Sequence, residues 1–288
     1  MSDMLHSLSR LPVLRLLPPS PRSIVLTGAS GGLGLALTGA LARPGVHMLL
    51  GGRDADRLAQ AVAAARAAGA IPEVLTVPLT EGPDFARALE DYDRRHPIDL
   101  LLLNAGVKTG NRDGIEDMAQ AERVIAVNLT ATLRAVQAVL PGMRTRGRGQ
   151  IAILSSIAAL SPHADLLSYS ATKAGLRGYG AALRRNLRGS GVRVSVISPG
   201  FIDTPMTDRQ KGPAPLLLSP ERAARIIRRG LALGSANITF PLALCLMIRA
   251  ENLLPKALGD LIDRAYRAEI LPDGDEAAAQ AERQTPPQ

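Results

Sequence analysis

The sequence has a single cysteine, no tryptophan, three phenylalanines and four tyrosines. One cysteine, Cys245, excludes an intrachain disulfide and fits a reducing compartment. Its neighbours in "LALCLMI" are apolar, so an inert buried thiol is expected there rather than a nucleophile. With 46% hydrophobic residues and only 2% aromatics, the core has to be built from Ala, Leu, Val and Ile. The shortage of aromatics also bears on the charge. A net charge of +8 suits nucleic acid or an anionic surface, but the arginines are scattered over many predicted helices. Their tightest group, "MRTRGRG" at 143–149, falls in a short helix-to-strand connection. No aromatic residue interleaves with the basic ones as a stacking platform for bases, which excludes a nucleic-acid role. Long uncharged runs are missing as well, and no window reaches the length of a membrane-spanning helix. The opening "MSDMLHSLSRLPVLRLLPPSP" has no basic n-region, and Arg15 interrupts its apolar stretch. Residues 1–20 are therefore read as an N-terminal extension, not a signal peptide, and a cytoplasmic location is expected.

What the chain does have is alternation. Short β-branched or leucine-rich runs at 23–28, 46–52, 71–79, 98–106, 149–156, 192–200 and 237–240 are separated by longer helical stretches. The helices fall at about 32–42, 54–69, 83–96, 113–146, 168–191, 219–234 and 242–268. Apolar strands between helices imply a parallel sheet covered on both faces. The expected fold is α/β, a doubly wound, Rossmann-type sandwich with a mostly parallel sheet of about seven strands. Residues 21–270 form one domain in this reading, and 271–288 are a polar, disordered tail.

Two places in this frame carry chemistry. The first strand runs into "TGASGGLG", where Gly28, Gly32 and Gly34 let the backbone approach a pyrophosphate at a helix N-terminus. No Gly-Lys-Ser/Thr follows, so this is not the phosphate loop of kinases. The second strand ends "LLGGRD". Sites for NAD commonly hold a carboxylate there for the adenosine ribose. Gly52 stands in that place instead, and Arg53 follows it. A guanidinium can bind a 2′-phosphate that an acid would repel. With Ser30 beside it, Arg53 favours NADP(H) over NAD(H). The plainer reading of Arg53, a solvated residue at a helix start, ranks second.

The stretch "SYSATK" places Tyr169 and Lys173 one helical turn apart on one face. A neighbouring cation favours a phenolate and is expected to lower the tyrosine pKa toward neutrality. With "LNAG" at 103–106, Asn128 in "VIAVNLT", "LSS" at 154–156 and "SPGFIDT" at 198–204, the chain resembles the short-chain dehydrogenase/reductase family over roughly residues 22–240. The resemblance implies that Asn128, Ser156, Tyr169 and Lys173 are the catalytic group. Tyr169 is then the acid or base, Ser156 holds the substrate oxygen, Lys173 bonds the nicotinamide ribose, and Asn128 holds a water that links Lys173 to solvent. It assigns Gly28, Ser30, Gly31, Gly32, Leu33, Gly34, Arg53, Asn104, Ala105 and Gly106 to the cofactor, together with Tyr169, Lys173, Pro199, Gly200, Ile202 and Thr204. The set contains no metal ligand. Pro78 departs from the family, which often has an aspartate beside the adenine, so that contact is lost or replaced by backbone atoms of Leu79.

The resemblance implies an oxidoreductase that interconverts a carbonyl and a secondary alcohol, assembled as a homodimer or homotetramer through the helices at 113–146 and 169–189. The alternatives are a silent NADP(H)-sensing protein and a membrane-attached reductase of a lipid intermediate. The substrate loops, 157–167 and 201–218, offer Leu160, Leu166, Leu167, Phe201, Met206 and Leu216, so a fairly apolar small molecule is expected. His163 reads as a solvated loop residue. The long apolar C-terminal helix leaves three destinations open: its own domain, a second subunit, or peripheral contact at the inner face of a membrane.

Overall fold

Strands that bury both faces select apolar residues at nearly every position, and the inner strands of the sheet are of this kind, whereas its edge strands are partly exposed. The computed structural model describes residues 20–109, 115–251, 253–255 and 267–271. Its main strands are β1 (Ser23–Thr27), β2 (His47–Gly51), β3 (Ile71–Leu75), β4 (Leu100–Leu103), β5 (Gly149–Leu154), β6 (Val192–Pro199) and β8 (Asn237–Phe240). All pair in parallel, in the order β3-β2-β1-β4-β5-β6-β8. The two-residue strands β7 (Gln210–Lys211) and β9 (Glu269–Ile270) form a separate antiparallel ribbon.

Side-chain alternation along each strand divides the core in two. Ile24, Leu26, Met48, Leu50, Leu100 and Leu102 face one cluster, and Val25, Leu49, Leu101 and Leu103 face the other. The first face is covered by α1 (Gly32–Leu41), α2 (Ala55–Ala67) and α8 (Pro220–Ala232), through residues such as Leu37, Leu58 and Ile227. The second is covered by α3 (Gly82–Arg95), α5 (Ala131–Arg146) and α6 (Leu167–Asn186), through Phe85, Val136 and Leu176. A single turn, α7 (Pro205–Asp208), follows β6 on the substrate side. This is the doubly wound sandwich that the alternation predicted.

The segment boundaries differ from expectation for identifiable reasons. The third strand stops at Leu75, ahead of Pro78, which has no N–H to give to a ladder. The helix expected from 113 begins as α4 (Met118–Val124), where Asp117 and Gln120 close a capping box; residues 113 and 114 lie outside the described residues. A π-helical turn over Ile125–Thr130 separates α4 from α5. Together the helix Met118–Arg146 is long and apolar enough to cross a membrane by length and composition alone, although Arg134 breaks its uncharged run, as the sequence reading required of every such window. Its buried residues Ala135, Val136, Val139 and Met143 are packed against the sheet, as in the core helix of a globular domain. Of the C-terminal helix expected over 242–268, Leu242–Glu251 is helical as α9, and residues 252 and 256–266 lie outside the described residues. Pro255 follows a non-helical turn, as the steric demand on the residue before a proline favours. The tail beyond Leu271 and the extension before Ser20 lie outside the described residues.

Candidate active site

The strand order reverses between β1 and β4, and ligands of open α/β sheets bind at that switch point, beyond the carboxyl ends of the strands. A cavity of about 1540 Å³ opens there. A single ligand pocket usually measures about 300–1,000 Å³, so this one has room for a large cofactor and a substrate together.

The cofactor end is shaped by glycine. Gly28 has a φ of +70°, and a Cβ there would lie 2.8 Å from Ala105 Cα. At Gly34 it would lie 1.9 Å from Gly28 O. The turn therefore packs directly on the first turn of α1 and on the chain leaving β4. Asn104 fixes that approach: its Nδ2 donates to Gly28 O at 3.0 Å and to Thr27 O at 3.2 Å. Thr27 Oγ1 accepts from the backbone N–H groups of Asn104 and Ala105. The first N–H groups of α1 have no intrahelical acceptor and line the cavity through Gly32, Leu33 and Gly34, which suits a bound phosphate. At Gly52 a Cβ would meet Ser30 Oγ at 2.5 Å and Ser30 N at 3.0 Å. With the β1–α1 turn in this position, no carboxylate side chain fits at 52. Arg53 and Arg57 line the same end.

The catalytic end is assembled from β5 and α6. Ser155 Oγ donates to Lys173 O at 2.8 Å, which clamps the helix onto the end of the strand. Lys173 is 3% exposed. Its Nζ donates to Leu154 O at 3.0 Å and stands 5.5 Å from the centre of the Tyr169 ring. Ser156 caps the short helical turn Ile157–Ala159 by accepting from Ala158 N. Its hydroxyl lies beside Tyr169 and favours the phenolate. Asn128, fully buried in the π-helical turn, accepts from Val107 N at 2.7 Å and donates to Val107 O at 3.0 Å. It also donates to Thr172 Oγ1 at 3.3 Å. Its side chain thus ties the loop after β4 to α6. π-Helical turns recur at functional sites because they re-aim one residue without breaking the helix.

The expected direction of the tyrosine shift is corrected by this geometry. Burial raises the Tyr169 pKa above its ordinary value, and Ser156 offsets only part of that. Burial also pulls Lys173 down to about 8. Both groups are pushed toward their neutral forms, because desolvation of the charged forms dominates.

Of the residues predicted for cofactor and catalysis, all line the cavity except Asn128, which braces it from behind. At the substrate end, Leu166, Phe201 and Met206 line it, whereas Leu160, Leu167 and Leu216 do not. Leu167 and Leu216 are exposed. His163 also lines the cavity and is not the solvated residue expected: its Nδ1 accepts from Asp165 N at 3.2 Å. The helix α9 turns Leu244, Met247 and Ile248 toward the cavity, so part of it belongs to its own domain. The sequence reading missed Lys108. It is 5% exposed, lines the cavity, and donates from Nζ to Gln210 Oε1 at 2.9 Å. Its position two residues after "LNAG" was the available signal.

A doubly wound parallel sheet whose switch point carries a glycine cradle and a serine, tyrosine and lysine fits one class, the oxidoreductases built on this sheet. Within that class the chain belongs to the short-chain dehydrogenases, whose family model matches residues 22–213. An "Uncharacterized oxidoreductase" of Myxococcus xanthus is 33% identical over 86% of this chain and 98% of its own. A ketoacyl reductase, HetN, of Nostoc sp. is 32% identical over 68% of this chain and 69% of its own. Among solved structures, a short-chain dehydrogenase from Sphingobium yanoikuyae in complex with NADPH superposes with a TM-score of 0.68 at 25% identity. That match covers 94% of this chain and 97% of the other.

Proposed function

We propose that the protein is an NADP(H)-dependent reductase of a fairly apolar ketone, working in reverse as a secondary-alcohol dehydrogenase. The observation that carries the reading is the convergence of Ser156, Tyr169 and Lys173 on one wall of the cavity that the glycine cradle opens into. A bound reduced nicotinamide supplies the hydride to the carbonyl carbon. Tyr169 gives its phenolic proton to the carbonyl oxygen, and the Ser156 hydroxyl donates to that oxygen as negative charge develops on it. Lys173, held by Leu154 O, keeps further donors for the cofactor ribose. Asn128 holds the wall in place by its bonds to Val107 and Thr172.

The preference for NADP(H) is supported by Gly52, where Ser30 leaves no space for a ribose-binding acid, and by Arg53 and Arg57 at the same rim. The NADPH complex of the Sphingobium relative agrees with it. Phe201, Met206, Leu244, Met247 and Ile248 favour an apolar body on the substrate. Exposed Met118, Ile125 and Leu167 on and beside α4 and α6 favour pairing of two chains through those helices.

The test is oxidation of NADPH with a panel of ketones, wild type beside Tyr169→Phe. Loss of a positioned general acid lowers kcat by about 10²–10⁴-fold while NADPH binding, followed by nicotinamide fluorescence, is retained. Equal turnover by the two proteins on every active ketone removes Tyr169 from the role assigned to it.

A further inference from the structure

At the end of the sheet away from the cavity, three potential metal ligands converge that are far apart in the chain. His47 is the first residue of β2, Glu73 the third of β3, and His96 caps the C-terminus of α3. His47 and Leu49 project to one face, and Leu49 is the register partner of Glu73, so His47 and Glu73 share the face that α3 covers. One donor atom from each of the three lies within 4.8 Å of the others. None of them lines the cofactor cavity.

We propose that His47, Glu73 and His96 form a binding site for a zinc-class divalent cation, with solvent completing the coordination. Two imidazoles and one carboxylate are a donor set that zinc takes in a tetrahedral site with one open position. Three features favour it. His47 Nδ1 is buried and, among the described residues, has no hydrogen-bond partner, an arrangement that buried polar atoms rarely keep. Glu73 is oriented by Arg95, whose Nη2 donates to Oε2 at 2.9 Å. The bond from Arg95 Nη1 to Oε1 is longer, at 3.2 Å, and Oε1 is also the oxygen 3.2 Å from His96 Nε2. A cation takes Oε1, and Arg95 keeps Oε2 and holds the ligand from outside. Finally, the carbonyl end of α3 turns its negative dipole toward the site.

Two features oppose binding, and they set its signature. The charges of Arg22 and Arg95 face the group, so affinity is below that of an all-acidic cage. The imidazoles of His47 and His96 are stacked, with centroids 4.0 Å apart and planes 21° from parallel. Lone pairs in nearly parallel rings do not converge on one point, so His96, at the partly exposed helix end, has to rotate. Binding therefore breaks the stack.

The probe is Zn²⁺ titrated into the chelator-treated full-length chain, against a chromogenic chelator as competitor. One equivalent is expected to bind. His96→Gln, and separately His47→Gln, should weaken it at least tenfold, while His163→Gln leaves it unchanged. Far-UV circular dichroism verifies that the variants are folded. Independently of any variant, Co²⁺ bound to the wild type should give the visible bands of a tetrahedral nitrogen–oxygen site and shift the imidazole NMR signals of His47 and His96. Absence of stoichiometric binding by the wild type overturns the proposal. So does undiminished affinity in a folded His96→Gln protein, or loss of binding in His163→Gln. None of these readouts depends on turnover, so the reading of the reductase site stands or falls separately.

Discussion

Replacing Lys108 by methionine should make the protein more stable at neutral pH, an unusual result for removal of a bonded side chain. Lys108 is 5% exposed. Burial, with the charge of Arg209 behind it, lowers its pKa from 10.5 to about 8. A tenfold change in proton affinity corresponds to about 1.4 kcal/mol, so holding the ammonium in this place costs about 3 kcal/mol at pH 7. Methionine has a similar length and needs no solvation. The substitution also removes the bond to Gln210, a loss of about 1 kcal/mol. The net expectation is a gain of about 2 kcal/mol. The sign follows from proton linkage: the folded state binds fewer protons than the unfolded one between about pH 8 and 10.5. Wild-type stability therefore rises with pH across that window through this group, and its deficit is complete and constant below pH 8. The variant lacks the dependence. Urea unfolding at pH 7, 8.5 and 10 should show its advantage shrinking and then reversing as the lost hydrogen bond is left as the difference. A variant less stable at pH 7, or an advantage that ignores pH, would falsify the account of Lys108 as an ammonium destabilised by burial.

Arg53→Ala should raise the KM for NADPH by about 10–100-fold and leave that for NADH nearly unchanged, since one charge-assisted pair contributes about 1.5–3 kcal/mol; parallel losses with both cofactors would refute a phosphate contact. Asp165, 4% exposed, accepts from Arg267 Nη2 at 2.6 Å, from Arg267 Nε at 3.1 Å and from Ala268 N at 2.9 Å. Asp165→Ala should release β9 from the substrate loop and speed tryptic cleavage after Arg267, and an unchanged digestion rate would count against the tether. Lys173, at about 8, is charged below that pH and loses its charge above it, so the KM for NADPH should rise as pH passes from 7 to 9, and a KM flat across that range would contradict the assigned role.

How much of this was legible in the sequence depends on whether the signal was local. The inner strands were legible because a strand buried on both faces has to read as an apolar run, as "IVL" and "LLLL" do. The glycine cradle was legible because Gly28 and Gly34 leave no room for a Cβ, so those positions admit only one residue type. Contacts between distant segments were not legible at all. Lys108 meets Gln210 across 102 positions, and His47, Glu73 and His96 come together only through the register of two strands and the end of a helix. The tyrosine shift was misjudged for a related reason. Helical spacing reports which groups are neighbours, whereas desolvation depends on everything else that covers them.

That correction bears on the roles proposed for Tyr169 and Lys173. A lysine that simply made its neighbour more acidic would leave a phenol ready to lose its proton in either direction of the reaction. Here burial raises Tyr169 and lowers Lys173 to about 8, so near pH 7 the phenol keeps its proton and most of the lysine keeps its charge. This is the protonation state that reduction of a carbonyl requires. Oxidation of an alcohol needs the phenolate, which burial disfavours. In the proposed mechanism this protonation state suits reduction near neutral pH, and it arises from the desolvation of both groups at the end of β5 and α6.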